Sequence, residues 1–230
     1  MAVFDAETRS WFVDKGELCA RDDARFHDLA LQRRGQVLIS HVRQKTVGET
    51  SLANTHPFQH GTLVFAHNGT ITDLAWLRAG TSRERAAEVR GQTDSELFFA
   101  WLRTRLDEAG LGDGGLGSLE CDRVIGRAAR TARERPGLGA FNFLLSDGST
   151  TYCHRFGRTL FLLERGPHDA VRVERTSLVG TVVETPWSTR RQAVLLASEA
   201  MTDEPWQVVE EGMLLRIDRE PSPRWRLVAA

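Results

Sequence analysis

Residues 62–71 read TLVFAHNGTI, and this segment is the strongest indicator of the fold in the sequence. Its first five residues, 62–66, are apolar or β-branched and lie between turn-forming residues, a pattern typical of a strand buried on both faces. The run ends in His67, Asn68 and Gly69, and an Asn-Gly pair favours a turn because both residues tolerate positive φ. We therefore expect a rigid buried strand that presents polar groups where it ends.

The elements after this strand follow two patterns. The apolar residues of 71–77 are spaced as in a helix. Apolar residues recur at three- and four-residue intervals over residues 93–109, which predicts a longer helix, and another helix is predicted over 119–133. The glycine-rich residues 110–118 between them predict a flexible surface loop inside one domain. After Pro136 short strands are predicted, including a hairpin that turns at Asp147-Gly148.

The N-terminal part predicts a hairpin from residues 2–4 and 10–13, and a further strand over 36–42 that ends next to Arg43. Helices that come early and strands that cluster late favour an α+β layered protein over a regular βαβ series. The chain shows no internal repeat, so we expect one domain over residues 1–230.

Composition excludes several classes of protein. Thirty Lys and Arg against 31 Asp and Glu give a net charge of −1, so no overall field attracts nucleic acid or an anionic membrane. Three cysteines, at positions 19, 121 and 153, form no C-x-x-C pair, which favours a reducing compartment. Neither a signal peptide nor a long apolar span is visible, so a cytoplasmic location is expected.

Four residue types between positions 41 and 96 form a chemically suggestive set. The Arg43 guanidinium is suited to a carboxylate, and Asp94 at the start of a helix is suited to an ammonium group. The Asn68 side-chain amide and the Gly69 N–H are suited to a developing oxyanion. Together these groups would hold the amino-acid head and the γ-amide of glutamine.

Each member of the set also has a purely structural interpretation. Arginine at a strand end is usually solvated, and the single histidines 41, 56 and 67 are most often satisfied structural residues. Thr93-x-x-Glu96 matches a helix capping box, in which Thr93 caps the helix and Glu96 reaches back.

The order of several short segments resembles the class II glutamine amidotransferases, which are N-terminal-nucleophile hydrolases with an αββα four-layer sandwich. The segments are Arg43, Thr46-x-Gly48, NTHPF at 54–58, HNGTI at 67–71 and TDSE at 93–96. Later segments resemble the stand-alone bacterial subgroup: FNFLLSDG at 141–148, ASE at 197–199 and EPW at 204–206. The resemblance covers essentially the whole chain.

The resemblance implies a role for each matching residue. Arg43 would bind the α-carboxylate of glutamine and Asp94 its α-amino group, while His56 would line the pocket. Asn68 and Gly69 would form the oxyanion hole. The implied reaction is hydrolysis of the glutamine γ-amide through a thioester on an N-terminal cysteine, whose own α-amino group acts as the base.

The family nucleophile is absent from this sequence, which opens Met1-Ala2-Val3. We expect the chain to begin inside its domain, without the first strand and with a complete form that starts Met-Cys. The chain as written is therefore predicted to be inactive, and a degenerate, non-catalytic homologue is the alternative.

Other readings stay open. A γ-glutamyl amide hydrolase differs from a glutaminase only in the group attached to the amide nitrogen, and a non-catalytic glutamine-binding protein would keep the pocket without the thiol. A metal protein built on histidines 41, 56, 60 and 67 is disfavoured by their spacing. We expect a small-molecule substrate, no cofactor or metal, and no nucleic-acid or membrane partner; a homo-oligomer is left open.

Overall fold

The computed structural model describes residues 1–42, 51–167, 174–176, 182–184 and 192–229. Its helices are α1 (Ala24–Gln32), α2 (Leu74–Ala79), α3 (Arg83–Ala87), α4 (Asp94–Glu108) and α5 (Leu119–Glu134), with a 3₁₀ turn at Leu52–Asn54. Its strands are β1 (Ala2–Asp5), β2 (Ser10–Val13), β3 (Val37–Ile39), β4 (Phe58–His60), β5 (Leu63–Ile71), β6 (Gly139–Ser146), β7 (Thr150–His154), β8 (Phe161–Arg165), β9 (Glu174–Thr176), β10 (Val182–Glu184), β11 (Ala193–Ala197), β12 (Gln207–Val208), β13 (Leu214–Asp218) and β14 (Arg224–Val228).

A six-stranded sheet organises the molecule, in the order β14-β13-β7-β6-β5-β4 with antiparallel pairing throughout. Two three-stranded sheets, β2-β1-β3 and β11-β8-β12, and the pair β10-β9 complete the strands described. The long strand β5 pairs with β6 over its last eight residues, from Val64 opposite Ser146 to Ile71 opposite Gly139.

The six-stranded sheet is buried on both faces, which explains the uninterrupted apolar run in β5. Leu63 and Phe65 face α4 and α5, in a core with Phe98 and Trp101. Val64 and Ala66, which alternate with them, join Ala2 and Ile39 of the facing sheet in a second cluster.

The sheet β2-β1-β3 has α1 on its outer side. Phe12 and Val3 are opposite each other and point away from the six-stranded sheet, since their neighbours Trp11 and Ala2 pack against it. The Arg33 guanidinium, one residue beyond α1, lies 3.7 Å from the Phe12 ring centroid. Helices, two layers of sheet and a further helix thus give the predicted α+β layered architecture.

The predicted α4, α5 and Asp147-Gly148 hairpin are confirmed within one or two residues. The predicted strand 36–42 is shorter, at Val37–Ile39, and no membrane-crossing helix is found within the described residues.

The glycine-rich residues 110–118 are anchored at two points. The Asp113 carboxylate binds the guanidinium of Arg103 at 2.8 and 2.9 Å, and the buried Leu116 donates its N–H to Asp147. These contacts hold two positions of the segment, and the flexibility of the rest of the loop stays a prediction.

Candidate active site

Asn68 and Gly69 lie inside β5 and not in a turn after it, so the sequence-based turn was wrong. Residues 68–71 continue the strand because each faces a residue of β6, and this pairing outweighs the local preference of Asn-Gly for a turn. The Asn68 side chain is exposed on the face directed at the smaller sheet, just past the buried Ala66. Its amide makes no hydrogen bond to any described residue, so it is free to donate.

The Gly69 N–H points away from β6. Phe141, which is opposite Gly69, donates its own N–H to Phe156 at 2.8 Å, so the Gly69–Phe141 pair is a non-hydrogen-bonded pair of the ladder. The Gly69 N–H is therefore directed to the β4 edge, where pairing by β4 already stops at Phe58 opposite Phe65. This geometry leaves the backbone donor directed at the space beyond the end of β4.

Gly69 has no room for a side chain. A Cβ at this position would lie 2.0 Å from the Ala140 carbonyl oxygen and 3.0 Å from Nε2 of His67. Glycine is required here because the neighbouring strand approaches closely.

Asp94 lies at the first position of α4, after the N-cap Thr93, whose hydroxyl accepts from the Glu96 N–H at 3.2 Å. The buried Asp94 carboxylate accepts from the Ile71 N–H through Oδ2 at 2.7 Å. No described residue bonds the other oxygen, Oδ1. The carboxylate thus lies two residues along β5 from Gly69, at the same strand edge.

His67 links β5 to α4. Its Nδ1 lies 2.8 Å from the Ser95 hydroxyl, and its Nε2 lies 3.3 Å from the Ala140 carbonyl oxygen. Burial lowers the pKa of His67 below its ordinary value, while the charge of Asp94 and the Ala140 carbonyl act in the opposite direction. The structural interpretation of His67 is confirmed, with partners that tie it to the site.

Glu96 does not complete the expected capping box. Its carboxylate accepts from the backbone N–H groups of Arg90 at 3.0 Å and Gly91 at 2.6 Å, instead of from Thr93. Asn54 accepts from the Gln92 N–H at 2.7 Å, so the 3₁₀ turn is held against the segment that leads into α4.

His56 is buried and packs between two rings. The His41 ring centroid is 4.1 Å away and the Phe58 centroid 4.7 Å away. Trp11, at one end of the smaller sheet, donates to the Thr62 carbonyl at the start of β5, so β3 runs toward the Asn68 end of β5. His41 and His56 therefore lie at the same end of the sandwich as Asn68.

Arg43 lies outside the described residues, and its predicted contact with a carboxylate stays a prediction. His41, two residues earlier, leaves β3 at the Asn68 end, so the chain enters the undescribed segment at the correct end of the molecule.

Sequence reasoning missed Lys15 and Ser95. The Lys15 ammonium lies 4.9 Å from the Phe58 ring centroid and 3.4 Å from the Leu52 carbonyl oxygen. Burial lowers the pKa of Lys15, and the Glu96 carboxylate opposes that shift. The only signal was that Lys15 is one of two lysines in an arginine-rich chain; Ser95 gave none.

The cysteines do not lie among these groups. Cys121 and Cys153 are fully buried, and burial raises the pKa of the Cys153 thiol well above its ordinary value. Cys19 is exposed in the segment between β2 and α1. Within the described residues no cluster of three or more His, Cys, Asp or Glu side chains is arranged to hold a metal ion.

The chain matches the family model of class II glutamine amidotransferases over residues 26–222. The chain therefore belongs to this family. Its α+β architecture is that of the N-terminal-nucleophile glutamine amidotransferases.

Among curated proteins, it is 29% identical over 184 residues to YafJ of Escherichia coli, which is named for glutamine amidotransferase activity; the match covers 76% of this chain and 67% of YafJ. The chain spans 50%, 67% and 60% of the length of the first three curated relatives it matches.

Solved structures show the same likeness. A predicted glutamine amidotransferase from Pseudomonas aeruginosa has a TM-score of 0.57 and 27% identity, over 76% of this chain and 67% of that one. A glutamine aminotransferase class-II domain protein from Silicibacter pomeroyi has a TM-score of 0.65 over 99% of this chain and 90% of that one, and at 19% identity it supports the fold alone.

Proposed function

We propose that this domain binds the amino-acid head and γ-amide of glutamine, for hydrolysis of the glutaminase or amidotransferase type. The observation that carries the proposal is that the Gly69 N–H and the Asp94 carboxylate lie at one edge of β5, while the exposed Asn68 amide lies on the adjoining face of the same strand. An amide oxygen needs N–H donors and an ammonium needs a carboxylate, and here both kinds of group lie within residues 68–71 of one strand or bind to it.

In the proposed reaction Asp94 Oδ1 accepts from the substrate α-ammonium, and Arg43 holds the α-carboxylate. A cysteine thiolate attacks the amide carbon, and the Asn68 and Gly69 donors stabilise the negative charge that develops on the amide oxygen. The carbon–nitrogen bond breaks as the amide nitrogen takes up the proton that the thiol gave to the α-amino base, and the nitrogen leaves as ammonia. Water then hydrolyses the thioester to glutamate and free thiol. His56 lines the pocket without entering the bond changes.

None of the three cysteines in this sequence suits the role of nucleophile. Two are buried, and Cys19 lies in another segment, with no free α-amino group beside it. We therefore propose that the chain, as its sequence stands, binds the substrate without turning it over, and that turnover requires an N-terminal cysteine that these 230 residues do not supply.

A γ-glutamyl amide hydrolase is the second candidate, because the proposed contacts hold the glutamyl part and leave the amide nitrogen substituent unspecified. We expect a small-molecule substrate in either case, and neither nucleic acid nor a membrane as partner. Comparing the binding of glutamine with that of N-substituted γ-glutamyl amides separates the two candidates.

Calorimetry with L-glutamine tests the proposal. The wild-type chain should bind L-glutamine, and Asp94→Asn should weaken binding on the order of 10–100-fold, because a charge-assisted hydrogen bond to the ammonium is lost. Asp73→Asn is the matched control, since Asp73 also accepts from a backbone N–H, that of Trp76 at 3.0 Å, but at the start of α2. It should leave affinity unchanged. The absence of L-glutamine binding by the wild-type chain, or equal affinity of Asp94→Asn, would overturn the proposal.

A further inference from the structure

Two hydrogen bonds join the edge of β5 to the first turn of α4. One runs from the Ile71 N–H to Asp94 Oδ2, at 2.7 Å, and the other joins the Ser95 hydroxyl to Nδ1 of His67, at 2.8 Å. The two strand residues flank Asn68 and Gly69, and the two helix residues are consecutive. These two hydrogen bonds therefore fix the oxyanion donors and the Asp94 carboxylate relative to one another.

The protonation of His67 determines which atom is the donor in the hydrogen bond between Ser95 and His67. Nε2 faces the Ala140 carbonyl oxygen at 3.3 Å, which can only accept, so Nε2 carries the proton and Nδ1 accepts from the Ser95 hydroxyl. Both ring nitrogens are thus used in the neutral form. The ring also lies close to Gly69, because a Cβ added at Gly69 would be only 3.0 Å from Nε2.

The surroundings of the pair are apolar or backbone groups apart from one charge. The Phe98 ring lies 6.0 Å from the His67 ring, edge to face, and Asp94 is the charged side chain that acts on His67. Replacing both partners of a buried hydrogen bond by apolar groups of the same shape is often nearly neutral for stability, so stability alone does not explain this pair.

We propose that the His67–Ser95 hydrogen bond is a positioning link. It couples the binding of the substrate ammonium at Asp94 to the binding of the amide oxygen at Asn68 and Gly69. This inference rests on the proposed function and adds a residue pair to it. Neither His67 nor Ser95 touches the substrate. With the link intact, a ligand that orders α4 through Asp94 also orders the donors on β5, so the two contacts bind cooperatively.

A double-mutant cycle in L-glutamine affinity measures this coupling. In the wild-type background the losses caused by Asp94→Asn and Asn68→Ala should be non-additive, by a factor of about 5 in affinity. In a Ser95→Ala background the same two losses should become additive. Ser95→Thr, which keeps the hydroxyl, should preserve the coupling. A protein that is only less stable would lose affinity in every variant without changing the coupling factor.

Ser146→Ala is the matched control. The Ser146 hydroxyl is also buried, in β6 of the six-stranded sheet. It donates to the Thr150 carbonyl at 3.1 Å and lies 2.8 Å from the Thr151 hydroxyl. It should lower the unfolding midpoint and leave the coupling unchanged. If Ser95→Ala does not fold, Ser95→Cys, with a similar volume and a weak donor, replaces it.

The possible results distinguish a failure of the proposed function from a failure of the positioning link. Failure of the wild-type chain to bind L-glutamine defeats the proposed function itself. Binding with additive losses in the wild-type background overturns the positioning link alone. Coupling that persists in Ser95→Ala, or in Ser95→Cys where Ser95→Ala does not fold, also overturns it.

Discussion

At the scale of single residues, the site requires a glycine at position 69, where no side chain fits. The Ala140 carbonyl occupies the place that a side chain at position 69 would need. Gly69→Ala should therefore destabilise the protein by about 2 kcal/mol or more, because the strand must move or part from β6. Urea unfolding measures the loss, and Gly114→Ala is the control, since a Cβ there meets nothing within 4 Å. Equal stability of the two variants would contradict the close approach.

The cysteines give a second prediction at this scale. Iodoacetamide should alkylate Cys19 in the native protein and reach Cys121 and Cys153 only in denaturant, because burial excludes the reagent and raises the pKa of Cys153. Mass spectrometry of the modified peptides locates the label. Native labelling of Cys121 or Cys153 as fast as Cys19 would show a reactive thiol that the structure does not contain.

The sequence identified which residues carry suitable chemical groups, but it did not predict which of these residues contact one another. The carboxylate of Asp94 and the amide of Asn68 could be singled out from the sequence, but the Ser95–His67 bond joins residues 28 positions apart, and no local pattern reports it. Arg43 was singled out on the same chemical grounds and lies outside the described residues.

At the scale of elements, α4 connects the site to the rest of the helical layer. Its first turn carries Asp94 and Ser95, and Arg103 further along is almost fully buried among acidic groups. The Arg103 guanidinium binds Glu88 at 2.6 Å and Asp113 at 2.8 Å, and it also contacts His60.

Arg103→Met should destabilise the protein by roughly 1–3 kcal/mol, because Glu88 and Asp113 lose a buried partner but keep their ion pairs with Arg85. Arg123→Met is the control on α5, where the arginine pairs with Glu120 and both side chains are exposed, so its cost should be below about 0.5 kcal/mol. Thermal or urea unfolding compares them. If both variants lost similarly little free energy of unfolding, water would be replacing Arg103 as the partner of the Glu88 and Asp113 carboxylates.

Elements with their own periodicity were predictable, and α4 is the clearest example. The segment after β5 was not, because the sequence places a helix from residue 71 whereas the strand runs to Ile71 and α2 begins at Leu74. The Asn-Gly pair suggested a turn, but eight residues of pairing with β6 extend the strand through it. Such pairing depends on a partner about 75 residues away and leaves no local signal.

At the scale of the whole molecule, buried histidines should set the acid sensitivity of the fold. His154 is fully buried between the Phe141 and Phe143 rings, each 5.3 Å away, and desolvation lowers its pKa to about 4. In the unfolded chain His154 therefore takes up a proton near pH 6.5, whereas in the folded chain it does so only near pH 4. His67 is shifted in the same direction.

The free energy of unfolding should accordingly be highest above pH 6.5 and fall as the pH drops to 4, by up to about 3 kcal/mol from His154. Urea titrations at several pH values measure this slope. His154→Phe should flatten it, whereas the exposed His27→Phe should not. A slope that His154→Phe leaves unchanged would place the acid sensitivity elsewhere.

The layered fold follows from patterns that the whole chain shares: an apolar run buried on both faces, two helices and a set of late strands. The relation between the layers could not be predicted, because it depends on which face of β5 each partner covers. That relation places His41 and His56 at the Asn68 end of the molecule.

A crystal structure of the chain with L-glutamine would show whether β5 and the start of α4 hold both ends of a glutamine-like ligand. We expect the α-ammonium on Asp94 and the amide oxygen at roughly 2.7–3.2 Å from the Asn68 amide and the Gly69 N–H. Glutamine bound elsewhere, or with its amide directed away from Asn68 and Gly69, would contradict it.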